Sequence, residues 1–137
     1  MTQQEANKEA IRVFLSYSQE DKKFVERMRN ILTHRPDVQL FQPEMLTAGE
    51  DWRGRLREEL LNCNLFMILL SPDSVNSEWV LSELGAAWAV DKPIIAATTE
   101  PEASYSLPVS AQGIRYFELQ ELEKPEVLNR IITGYEE

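Results

Sequence analysis

The chain has 137 residues, a formal net charge of −9 and a hydrophobic share of 43%, enough to bury one ordinary globular core and too apolar for disorder. The acidic balance argues against a nucleic acid or an anionic membrane surface as partner. One cysteine, Cys63, and one histidine, His34, exclude an internal disulfide and a Cys- or His-rich metal site, and no apolar run approaches the roughly 18–20 residues that span a bilayer, so the expectation is a cytoplasmic domain.

Residues 1–10 are polar and patternless and read as a flexible lead-in to a single domain over 11–137. Ile11 to Tyr17, IRVFLSY, is β-branched and aromatic and predicts a buried first strand. Ser18 followed by Asp21 predicts a helix start, and Phe24, Val25, Met28, Ile31 and Leu32 recur at helical spacing until Pro36. Val38 to Phe41 is a short second strand. A loop follows, closed by Thr47 with Glu50 as a capping box, and a second helix, about Glu50 to Asn62, places Trp52, Leu56, Leu60 and Leu61 on one side.

Leu65 to Leu70 is the third strand. Ser77 is the predicted cap of a helix whose buried stripe is Val80, Leu84 and Ala87, with Leu81 and Trp88 at its edge. Glu83 falls on the flank of that stripe, one turn beyond Trp79, where a carboxylate is partly desolvated and costly unless paired or useful. Pro93 to Thr98 is the fourth strand, residues 100–112 an irregular loop, Ile114 to Leu119 a fifth strand, and Lys124 to Ile132 a last helix. Strands alternating with helices predict an α/β domain with a parallel sheet covered on both faces. Ligands of such sheets bind beyond the carboxyl ends of the strands, which gathers Tyr17, Ser18, the 42–49 loop and residues 71–83 around one crevice.

The sequence has no GxGxxG after its first strand, no GxxxxGK[ST] and no GxSxG, which removes the dinucleotide-fold, P-loop and hydrolase-elbow readings. His34 suits a helix end, where its partial charge favours the dipole. Cys63, beside a strand, reads as an inert core thiol.

Three segments in order, VFLSYSQED (13–21), LTAGEDW (46–52) and SPDSVNSEWVLSE (71–83), resemble the first box, the BB loop and the WxxxE element of the Toll/interleukin-1 receptor (TIR) domain family, particularly its bacterial members. The resemblance implies a flavodoxin-like three-layer fold with five parallel strands in the order 2-1-3-4-5. It also implies cleavage of NAD⁺ at the nicotinamide–ribose bond, giving nicotinamide and linear or cyclic ADP-ribose, with Glu83 matching the catalytic glutamate. Tyr17, Ser18, Leu46 and Trp79 then fall at substrate-binding positions, and NAD⁺ is substrate, with no cofactor. Self-association, or pairing with other TIR domains, would run through the 43–51 loop and the 77–90 helix.

A single carboxylate suits that reaction, because nicotinamide leaves a cationic pyridinium as a neutral base and needs no general acid, unlike the leaving oxygen of an O-glycoside. The sequence departs from the family's enzymes at Gln42, where they often carry aspartate, and at Met45, where some carry lysine. Two alternatives stand beside the enzyme: a non-catalytic TIR–TIR interaction module and a nucleotide-derivative sensor.

Overall fold

The computed structural model describes residues 10–43, 51–99 and 114–134; the lead-in over 1–9, the Thr47 cap, Met45, Leu46 and the 100–112 loop lie outside the described residues. Five parallel strands form a sheet in the order β2-β1-β3-β4-β5, the order that the family resemblance implies. They are β1 Ile11–Ser16, β2 Val38–Phe41, β3 Leu65–Leu70, β4 Ile94–Thr98 and β5 Arg115–Glu118. The helices are α1 Lys22–Thr33, α2 Trp52–Asn62, α3 Glu78–Ala89, α4 Leu119–Leu122 and α5 Pro125–Gly134, with 3₁₀ turns at Gln19–Asp21 and Ser74–Asn76.

All six residues of β3 are buried, as a central parallel strand requires. Period-two alternation splits the core into two layers. Val13, Leu15, Tyr17, Leu65, Met67 and Leu69 face one layer, filled by Val25, Met28 and Leu32 of α1 with residues of α4 and α5. Phe14, Phe66, Ile68 and Leu70 face the other, filled by Leu60 of α2 and Val80, Leu84 and Ala87 of α3. An aromatic row crosses three strands in register, with Phe14 opposite both Phe41 and Phe66 at ring-centroid distances of 5.2 and 5.3 Å.

Helix α1 ends at Thr33, ahead of Pro36 as expected, with His34 as its C-cap and its Nδ1 2.5 Å from the Asn30 carbonyl oxygen. Three local expectations are corrected. Helix α2 begins at Trp52 rather than Glu50, because the Asp51 carboxylate caps it, accepting from the Gly54 N–H at 3.2 Å. Trp52 and Leu61 are exposed rather than buried beside Leu60: Trp52 is the first helical residue, and Leu61 lies about 100° around the helix from Leu60. Leu119 opens α4 instead of closing β5, since Glu118 and Glu121 form a capping box there. Among the described residues, no helix is long and apolar enough to cross a membrane.

Candidate functional site

The carboxyl end of the sheet gathers β1 and β3 beneath the first turns of α3. Ser77 starts that helix as expected, its Oγ accepting from the Val80 N–H at 3.3 Å. Ser77→Ala should cost about 1 kcal/mol of stability, read as a lower urea midpoint at unchanged slope.

Two turns into α3, Glu83 is only 5% exposed, so it belongs to the buried face and not to its flank. The helix contacts both β1 and β3, and the carboxylate is pressed against the sheet. Alternation turns Ser16, two residues after Phe14, toward the same layer, and its hydroxyl donates to Glu83 Oε1 at 2.6 Å. The other oxygen, Oε2, is buried and has no hydrogen-bond partner among the described residues. Burial pushes this carboxyl up to about 8, against the lowering effect of the Ser16 bond. At neutral pH the resting group is therefore largely protonated, and a cation bound beside it would favour its ionisation.

A second buried network lies next to the first. Ser71, at the exit of β3, donates to Asp21 Oδ2 at 2.6 Å and accepts from the Ser74 N–H at 3.0 Å, while Ser74 Oγ accepts from the Ser71 N–H at 2.8 Å. Burial raises the Asp21 carboxyl above its ordinary range, with the Ser71 bond opposing and the charges of Asp73 and Glu20 adding to the rise. This network fixes the turn between β3 and α3 from the side of α1. Asp21, expected as a helix cap, is thus a cross-link between two loops.

The predicted site residues divide. Trp79 stands one turn before Glu83, about 39% exposed, its ring 6.0 Å from that of Trp52, with the Arg53 guanidinium 5.5 Å from the Trp52 ring. The two indoles make an aromatic ledge near the start of α3. Tyr17 is buried in the opposite layer, with α1. Ser18 caps the first 3₁₀ turn, accepting from the Glu20 N–H at 3.3 Å. Leu46 lies outside the described residues. Gln42 is buried at the exit of β2, its Nε2 without a hydrogen-bond partner among the described residues.

Sequence reasoning passed over Ser16, and a signal for it exists. A serine two residues after Phe14 on a strand buried on both faces needs a polar partner on the same face. Two hollows of about 420 and 320 Å³ are lined by residues of α1, α4 and α5 and of the β4 and β5 ends, and Glu83 lines neither. Among the described residues, no group of three or more His, Cys, Asp or Glu side chains could hold a metal ion.

The family model described as "TIR domain" matches residues 13–132. No curated protein matches the chain. Among solved structures, the chain is similar to the TIR domain of the Toll-related receptor TRR-2 from Hydra magnipapillata, at 16% identity and a TM-score of 0.71, covering 91% of this chain and 98% of that one. It is also similar to a 2-deoxyribosyltransferase from Bacillus psychrosaccharolyticus, at 17% identity and a TM-score of 0.65, covering 86% and 94%. A third likeness is to the CMP N-glycosidase BcmB from Clostridium botulinum, at 20% identity and a TM-score of 0.59, covering 82% and 98%. At these identities the three similarities speak for the fold.

Proposed function

This chain belongs to the TIR domain family, and we propose that it cleaves NAD⁺ at the nicotinamide–ribose bond with Glu83 as the catalytic carboxylate. The observation that carries this reading is the state of that side chain: buried, held through one oxygen by Ser16, and, among the described residues, unpartnered at the other. A buried carboxylate oxygen with no donor is costly unless a ligand completes it. A ribosyl cation, with its adjacent hydroxyls, is the complement.

In the reaction the C1′–N1 bond breaks and both its electrons leave with nicotinamide, which departs neutral. Positive charge develops on the ribose ring and is stabilised by the Glu83 carboxylate in a water-poor setting. Water then adds to C1′ and gives up a proton, so NAD⁺ and water become nicotinamide, ADP-ribose and H⁺. In the cyclising variant an adenine nitrogen takes the place of water. Two proteins of the same fold, a 2-deoxyribosyltransferase and a CMP N-glycosidase, carry names that place their own chemistry at nucleoside or nucleotide sugars, which makes the scaffold compatible with such a step. The ledge of Trp52 and Trp79, with ring planes 41° apart, offers an exposed indole face to a base. Self-association through residues 43–51 and 77–90 is part of the reading, and the exposed Trp79, Trp88 and Val90 lie on the second of these segments.

The test is incubation of concentrated protein with NAD⁺, with products resolved by mass and Glu83→Ala alongside. Nicotinamide should appear only with the intact glutamate, at a rate rising faster than linearly with protein concentration. In addition, kcat/KM should rise with pH up to about 8 and level off above it, since that profile reports ionisation of the free enzyme's essential group. Equal NAD⁺ loss in the alanine variant, with contaminating activity excluded, would refute the assignment. A rise in Tm with NAD⁺ and no product would mark a sensor instead.

A further inference from the structure

We infer that Ser16 is the positioning residue of this site: its hydroxyl anchors Glu83 Oε1 and so leaves Oε2 as the oxygen offered to a bound cationic sugar. This rests on Glu83 being the catalytic carboxylate.

Ser16 is fully buried at the last position of β1, and Glu83 lies 67 residues later on α3. Among the described residues, the 2.6 Å bond between them is the one side-chain hydrogen bond of either group. A glutamate side chain has three rotatable bonds and a carboxylate that turns freely at its end. With Oε1 held by a donor on a rigid central strand, that last rotation is restricted and Oε2 stays in one place. An anchor on a sheet strand holds a reactive atom more tightly than one on a loop.

The anchor also bears on the charge. A hydroxyl donating to a carboxylate favours the ionised form. Among the described residues, α2 brings Arg53, Arg55, Arg57, Glu58 and Glu59 to the same side of the sheet, yet burial and the Ser16 bond are what shift the Glu83 carboxyl. Strand β3, LFMILL, carries no charged residue, nor does the 3₁₀ turn Ser74–Asn76. Strand β1 carries only Arg12, near its opposite end, and α3 itself adds only Glu78, exposed in its first turn. The charges of Asp73 and Glu20 act on Asp21, and Glu83 responds to burial and to Ser16. Ser16 therefore opposes the burial that would keep Glu83 neutral.

The experiment has one arm that needs no turnover. The ¹³Cδ carboxyl signal of Glu83, identified by its absence in Glu83→Gln, is titrated in wild type, Ser16→Ala and Ser16→Thr. Loss of the hydroxyl in Ser16→Ala should move the titration upward by about one to two pH units, while Ser16→Thr, which keeps a hydroxyl, should stay near wild type. A titration unmoved in Ser16→Ala, or moved equally in both variants, overturns the inference whether or not the protein consumes NAD⁺. The second arm is turnover. In Ser16→Ala, kcat/KM at pH 7 should fall at least tenfold, with its pH profile displaced in the same direction as the titration. An unchanged profile overturns the inference. If NAD⁺ loss instead survives in Glu83→Gln, it is the catalytic reading that fails, and the titration still decides whether Ser16 sets the ionisation of Glu83.

Discussion

Glu83→Gln is expected to lose NAD⁺ cleavage and to gain stability at alkaline pH, in the same molecule. Glutamine keeps the volume and the Oε1 acceptor for Ser16, so the packing of α3 on β1 and β3 should survive. What goes is the negative charge, and removing a preorganised electrostatic partner of a charged transition state costs on the order of a hundredfold or more in rate. Stability moves the other way. In the unfolded chain a glutamate titrates near 4.5 and in the fold Glu83 titrates near 8. Between those values the folded state keeps a proton that the unfolded state has released, so stability falls as pH rises through this window and stays low above it.

At about 1.4 kcal/mol per unit, the full shift is worth at most about 5 kcal/mol, and a few kcal/mol is the reasonable scale. Glutamine does not titrate and escapes the loss. Melts at pH 6 and pH 9 should therefore show the wild-type Tm dropping by several degrees more than that of the variant. The raised Asp21 carboxyl is common to both proteins and cancels in the comparison. A variant whose Tm tracks wild type across that range would mean that Glu83 is not held buried and neutral in the fold.

The second large effect lies in the aromatic row. Phe66→Ala should destabilise by about 3–5 kcal/mol, because truncating a buried phenylalanine loses its transfer energy and leaves a cavity. Phe66 is fully buried in β3, in register with Phe14 on β1 and Ile94 on β4, and its ring stacks on Phe14 with planes 20° apart. Collapse onto the space is blocked on both sides by strands that cannot shift register without turning every side chain to the wrong face. A domain of this size holds roughly 7–20 kcal/mol in total, so the loss is a large share, and it should appear as a lower denaturant midpoint at the same slope. A change under about 1 kcal/mol would show that the layer repacks and that the row is not a rigid unit.

The sheet was legible because its strands are short β-branched and aromatic runs separated by helical periodicity, and a parallel sheet leaves few ways to connect them. Strand β3 illustrates this: six consecutive apolar residues bounded by Asn64 and Ser71 admit little else. The ends were less legible, since hydrogen bonds decide them. Asp51 captures the start of α2, and a capping box made of two glutamates turns Leu119 from strand to helix. Glu83 was singled out, but a helical wheel put it on the flank. Its burial depends on α3 leaning on two strands at once, which a one-dimensional pattern does not contain. Ser16 and the Asp21–Ser71 link join residues 67 and 50 apart, and the pairing of such distant groups is a property of the assembled fold.

The 2.6 Å bond from β1 to α3 has a dynamic consequence. Glu83 keeps its proton only while α3 lies on the sheet. Lifting the helix admits water to Oε2 and returns the group toward 4.5, so local opening of α3 releases a proton and is promoted by base. Amide hydrogens of α3 should then exchange through an opening whose equilibrium grows with pH beyond the intrinsic chemical acceleration, while those of β3 follow global unfolding alone. The docked helix acts as a proton-coupled latch on the sheet.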